Sequence, residues 1–110
     1  MLSPEAEQIY GYFLDNGHVG RDHAIRLSDI IPDIPFLRAC KRPDVVFHNL
    51  KDELLDNGLV ILGDAKGRYI PQSEQEIIRV WDRMKEDAIH RLVTCGKLYK
   101  AIQRRQLKLL

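Results

Sequence analysis

The stretch Lys51 to Glu76, KDELLDNGLVILGDAKGRYIPQSEQE, constrains the fold more than any other part of the chain. A helical ending at Asn57-Gly58 runs straight into the apolar residues Leu59 to Leu62. The turn-forming Gly63-Asp64-Ala65-Lys66-Gly67 comes next, then Arg68-Tyr69-Ile70 and the breaker Pro71. Glycine supplies the left-handed backbone of helix ends and tight turns, and short β-favouring runs between such signals read as a hairpin. Ser73 and Glu76 then stand at capping-box spacing, the hydroxyl reaching forward and the carboxylate back to the free amides of a new helix. Helix, hairpin and helix must therefore follow one another with almost no linker.

Upstream, Ser3-Pro4-Glu5 predicts a helix start, with an oxygen cap, a proline at the first helical position and an acid in the first turn. Ile9 and Phe13 share its apolar face, and Asp15-Asn16-Gly17 ends it, so the first helix is expected over residues 4–15. The following segment predicts an extended His23-Ala24-Ile25-Arg26, then a short helix near Asp29 to Ile31 capped by Ser28 and curtailed by Pro32 and Pro35. A third helix opens at Pro43 and ends at Asn57-Gly58. Its apolar face is Phe47, Leu50 and Leu54, with Asp44, His48, Lys51, Asp52 and Leu55 turned elsewhere.

The last helix is expected to be long. Ile77, Trp81, Met84, Ala88, Leu92, Cys95, Tyr99 and Ile102 keep three- and four-residue spacing, a narrow seam of the coiled-coil kind that another helix, from the same chain or a second one, would bury. If Gly96 does not break it, it runs to about Arg105. A homodimer through Ile77, Trp81, Met84, Ala88, Leu92 and Tyr99 is the expected arrangement.

Composition narrows the functional classes. With 45% hydrophobic and 30% charged residues, the 110-residue chain falls in the ordinary globular range. It has no apolar run near the roughly 20 residues of a membrane span and opens without a signal-peptide pattern, so a cytoplasmic protein is expected. Cys40 and Cys95 form no CxxC pair, and with His18, His23, His48 and His90 they match no zinc spacing. No metal or other cofactor is expected. No nucleophile motif or phosphate-cradling glycine loop occurs either, so an enzyme is not expected. Charge is divided unevenly: six of the 17 basic residues and none of the 16 acidic ones follow Asp87, leaving residues 1–87 at net −5 and the remainder at +6. Such a split points to nucleic acid or to an acidic partner surface.

The expected fold class is mainly α with a small β-hairpin (α+β): a winged helix-turn-helix over residues 1–72, followed by a C-terminal helical extension over 73–110 that packs on it, mediates dimerisation, or does both. In a winged helix the third helix enters the DNA major groove and the hairpin lies beside it. Arg38, Lys41 and Arg42 before the third helix and Lys66 and Arg68 around the hairpin turn are then candidate phosphate anchors, with His48, Asn49 and Lys51 as candidate base readers. Asp44, Asp52 and Glu53 on the same helix repel phosphates.

The segments GRDHAIRLSDI, RPDVVFHNLKDELLDNGLVILGDAKGRYIP and SEQEI, the last opening a long helix, are similar to those of small winged-helix proteins encoded by bacteriophages and other bacterial mobile elements, a resemblance that covers roughly residues 18–95. The resemblance implies a regulator of transcription or an accessory of replication initiation that binds double-stranded DNA in the cytoplasm of a bacterial host. His48 and Leu55 stand where the resemblance would lead one to expect basic residues, and Gly67-Arg68-Tyr69 replaces a glycine-tyrosine pair. The alternative is a protein-interaction module of the same fold, which binds or inhibits a host protein without sequence-specific DNA binding, as the net −5 of residues 1–87 suggests.

Overall fold

In the computed structural model, which describes residues 2–104, Ser3 caps the first helix as its sequence predicts: Oγ accepts from the Ala6 amide at 3.2 Å, and α1 spans Pro4–Asp15. The same serine donates from its amide and its hydroxyl to the Glu53 carboxylate, at 2.8 and 2.9 Å, which ties the start of α1 to the helix over Pro43–Asp56. Asn16 closes α1, and Gly17 turns the chain away with φ +71°.

The next segment departs from expectation. A 3-10 turn takes up Arg21–His23, so of the expected extended run only Ala24 to Arg26 is extended. The short helix α2, Leu27–Ile30, starts earlier than predicted. The Arg26 carbonyl already accepts from Asp29 and Ile30 at 2.9 and 3.2 Å, so Arg26 and not Ser28 is the N-cap residue. A second 3-10 turn, Ile31–Asp33, leads into a helix that the sequence reading did not foresee, α3 at Pro35–Arg38. Pro35, expected only to curtail the preceding helix, opens this one. At the first position of a helix, however, its fixed φ and missing N–H cost nothing.

The helix α4, Pro43–Asp56, has the predicted bounds and buries Phe47 and Leu54. Gly58, with φ +80°, ends it, and the Leu59 amide bonds back to the Leu54 carbonyl at 2.9 Å. That bond keeps Leu59 in the helix terminus, so the strand expected at Leu59 to Leu62 begins only with Leu62. Strands β1 (Leu62–Asp64) and β2 (Gly67–Tyr69) pair antiparallel as Leu62 with Tyr69, Gly63 with Arg68 and Asp64 with Gly67. The turn is therefore Ala65-Lys66 alone. Ile70, expected in the second strand, instead makes an isolated parallel bridge to Val19.

One core serves these elements. Ala6, Ile9 and Phe13 of α1 meet Ile30, Ile34, Leu37, Phe47, Leu54, Ile61 and Ile70, with the Phe13 and Phe47 rings 6.3 Å apart. Full burial of each large side chain is worth about 1.5–3 kcal/mol, and α1 and α4 supply five of these ten core residues. Tyr69 is fully buried, and its hydroxyl has no hydrogen-bond partner among the described residues. Tyr69→Phe is accordingly expected to leave the unfolding free energy equal to or up to about 1 kcal/mol above the parent, because a stranded hydroxyl only costs desolvation. A urea titration showing a loss beyond about 1 kcal/mol would mean that the hydroxyl is satisfied.

The chain is mainly helical, with one small antiparallel hairpin and a long C-terminal helix. Residues up to Ile77 form one compact unit and those from Ile78 onward a second. The long helix α5, Glu74–Gln103, is continuous through Gly96 and about 45 Å long at 1.5 Å per residue. Its expected capping box is altered: the Glu76 carboxylate reaches the Gln72 amide at 3.4 Å and the Arg21 amide at 3.1 Å. The predicted end near Arg105 and the cations Arg105 and Lys108 lie outside the described residues. No described helix is long and apolar enough to cross a membrane.

Candidate nucleic-acid interface

The hairpin does not stand alone. Ile25 and Arg68 exchange two backbone hydrogen bonds, from Ile25 N at 2.9 Å and from Arg68 N at 2.7 Å, forming an antiparallel bridge. Next to it, Gly20 N donates to Ile70 O at 2.8 Å, and Ile70 N donates to His18 O at 2.9 Å. The segment His18 to Ile25 thus lies along the outer edge of β2. The approach is close: a Cβ on Gly67, whose φ is +132°, would stand 2.5 Å from the Ile25 carbonyl oxygen. Only glycine fits there.

A buried ion pair holds the hairpin from the same side. The Asp64 side chain is 1% exposed and takes Arg21 Nε on Oδ2 at 2.7 Å, while its Oδ1 accepts the Lys66 amide at 2.8 Å. Arg21 is one-third exposed. Its own amide is held by Glu76, so the Arg21–His23 turn is clamped between the hairpin and the start of α5. The carboxylate of Asp64 orders the turn through its amide, which presents the exposed Lys66 at the tip.

Beside Lys66 lies an open groove of about 430 Å³ whose lining includes His18, His23, Arg26 and Asp29. The His18 ring is half-buried against Phe13 and Tyr12, and its Nδ1 lies 2.9 Å from the His23 carbonyl. A carbonyl only accepts, so Nδ1 carries the proton. Near this ring, burial and then the hydrogen bond to Asp33 push the Tyr12 phenol up to about 12. The phenol donates to Asp33 at 2.7 Å and stays protonated at neutral pH.

The eight candidate DNA contacts fall into three groups. Arg38, Lys41 and Arg42 are exposed just before α4 or at its cap. On α4, His48 is exposed and Lys51 half-buried. The hairpin carries the third group, Lys66 and Arg68. Arg68 differs from expectation: it is half-buried, and its guanidinium lies across Gly63, where a Cβ would meet Nη1 at 2.6 Å. Cross-strand packing over a glycine thus takes up part of this cation. Arg42, His48 and Lys66 each have a carboxylate at 3.6 Å, from Asp44, Asp52 and Asp22. Exposed pairs of this kind contribute about 0–1 kcal/mol, so a phosphate competes for Arg42 and Lys66 on nearly equal terms.

The sequence reading missed Arg21, His23 and Arg26. No local spacing marks them, because they meet the hairpin only across the fold: Arg21 through its pair with Asp64, and His23 and Arg26 through the bridge of their neighbour Ile25 to Arg68. Asn49, the third candidate base reader, is exposed. On α5, the candidate dimerisation residues Trp81, Met84, Ala88, Leu92 and Tyr99 are exposed and Ile77 is half-buried, while Ile78, Ile89, Val93 and Leu98 widen the apolar surface beyond the expected seam. No family model, curated protein or solved structure matches this chain.

Proposed function

We propose that the N-terminal unit is a winged-helix module that binds double-stranded DNA, with α4 directed to the major groove and the hairpin as the wing. The observation that carries this reading is the two-bond bridge between Ile25 and Arg68, which adds a third extended segment to a hairpin that directly follows a helix. A wing must resist bending to place a cation on a backbone phosphate, and the Arg21–Asp64 pair supplies that stiffness. Lys66 at the tip, with Arg26 and His23 beside it, and Arg38, Lys41 and Arg42 at the start of α4 are the phosphate contacts of this reading. His48, Asn49 and Lys51 are its base contacts. Two copies joined through α5 present two such modules to a two-fold site, as a phage-type regulator of transcription or replication initiation would require.

Double charge reversal, Lys41→Glu with Lys66→Glu, tests it by fluorescence anisotropy across a salt series. The parent is expected to bind duplex DNA at 50 mM salt. The variant is expected to bind at least about tenfold more weakly, with the slope of log affinity against log salt reduced by about two, one for each lost phosphate contact. An unchanged slope removes both residues from the interface.

A second reading has its own observation. The three carboxylates beside Arg42, His48 and Lys66 make the same surface mixed in sign, as suits a protein partner. Absence of any DNA binding by the parent at 50 mM salt would favour it.

A further inference from the structure

We propose that α5 pairs with α5 of a second copy in antiparallel orientation, with Ala88 of each copy receiving Arg91 of the other. The inference deepens the pairing part of the reading above and does not depend on DNA contact.

The first ground is exposure. Trp81 is 59% and Leu92 71% exposed, and Met84, Leu98, Tyr99 and Ile102 are similarly open. An apolar stripe that is continuous over the helix needs a cover. The second ground is its period. Trp81, Ala88, Cys95 and Ile102 recur every seven residues, as do Met84, Arg91 and Leu98, so the two sets take the a and d positions of a heptad seam, and Leu92 and Tyr99, expected within the seam, fall beside it at e. An arginine thus occupies a core position. That single residue decides the orientation.

In a parallel pair, a faces a and d faces d. The two Arg91 guanidinium groups would then share one layer, with two tryptophans in an oversized layer and two alanines in an undersized one. In an antiparallel pair, a faces d. Trp81 meets the partner's Leu98, Met84 meets the partner's Cys95, and Ala88 meets the partner's Arg91. Each layer then joins a larger side chain to a smaller one, as even packing requires.

The surface already carries a seat for this arginine. Ala88 lies in a depression of about 570 Å³ rimmed by Met84, Asp87, Arg91, Leu92 and Cys95. A partner's guanidinium entering over the alanine methyl finds the Asp87 carboxylate on the rim as counter-charge. Charge along the whole helix acts in the same direction. Residues 74–87 carry five acids and three bases, and residues 88–104 carry four bases and no acid. Antiparallel pairing sets net −2 beside +4, whereas parallel pairing sets +4 beside +4. Repulsion of that kind disfavours the parallel form.

Cysteine cross-linking reads the orientation directly, because Cys95 is exposed. In a parallel pair the two Cys95 residues share a layer and are close enough for a disulfide. In the antiparallel pair they are offset by eleven residues, about 16 Å along the axis, beyond any disulfide. The full chain with Cys40→Ser is the parent, and adding Met84→Cys places a thiol opposite the partner's Cys95. Within one helix, positions 84 and 95 are equally far apart and cannot join.

Sedimentation equilibrium is expected to give a dimeric mass for both proteins under reducing conditions. On mild oxidation the parent is expected to stay uncross-linked, and the Met84→Cys variant to form a covalent dimer. A Cys95 to Cys95 disulfide in the parent would overturn the orientation while leaving a dimer. A dimeric variant that fails to cross-link would overturn the register. A monomeric mass for the parent would remove the pairing altogether, whatever the DNA titration shows.

Discussion

Gly67→Ala is expected to destabilise the N-terminal unit by about 4 kcal/mol, measured as the change in unfolding free energy from urea titration. Two costs add. A residue with a side chain held at φ +132° carries about 1–3 kcal/mol of backbone strain. The new Cβ also comes 2.5 Å from the Ile25 carbonyl oxygen, which belongs to the backbone and cannot rotate aside. Relief requires Ile25 to retreat from β2, which weakens the two hydrogen bonds it shares with Arg68, each worth about 1 kcal/mol. Gly58→Ala separates the two effects. Gly58 also has positive φ, but its Cβ would meet nothing within 4 Å, so it should cost only the strain. If both variants lose the same amount, the close approach of Ile25 to Gly67 contributes nothing and the bridge is looser than described.

Arg21→Ala is expected to cost about 2–3 kcal/mol. The Asp64 carboxylate, 1% exposed, would lose the guanidinium that meets it at 2.7 Å, and removing one member of a buried pair leaves the other without full compensation. The figure is set below that for a wholly buried pair because Arg21 is one-third exposed and the Lys66 amide remains on Oδ1. Pairing Arg21→Met with Asp64→Asn should recover most of the loss, since the carboxylate that lost its guanidinium is then neutral. The coupling energy of the double-mutant cycle measures this directly, and a value near zero would show that the two side chains act independently. If the hairpin is a wing, Arg21→Ala should also weaken DNA binding through the loss of a fixed Lys66.

Several elements could be read locally because their causes are local. The cap at Ser3, the glycine stops at Gly17 and Gly58, and the proline start at Pro43 act within one helical turn, and α1 and α4 have the bounds these residues predict. The structure departs from these expectations where another bond, nearby or distant, engages the same groups. Ser28 has the right chemistry for a cap, but the Arg26 carbonyl is engaged first. Glu76 stands at capping-box spacing, yet it divides its carboxylate between Gln72 and Arg21, the latter 55 residues away in sequence.

The candidate site divides in the same way. Lys66 is recognisable at a turn tip from glycine spacing alone, and the cations Arg38, Lys41 and Arg42 from their place before a helix start. Arg68 is not, because its position over Gly63 depends on strand register.

By itself, the sequence determined the long helices α1, α4 and α5, the place of the hairpin and the three- and four-residue apolar spacing on α5, because caps, turns and periodicity are set by neighbours a few bonds apart. Only the tertiary structure decided that Ile25 pairs with Arg68, that Arg21 neutralises a buried Asp64 and that His18, His23 and Arg26 gather beside Lys66. Those partners lie about forty or more residues apart, and it is burial of a common core, not local spacing, that brings them together.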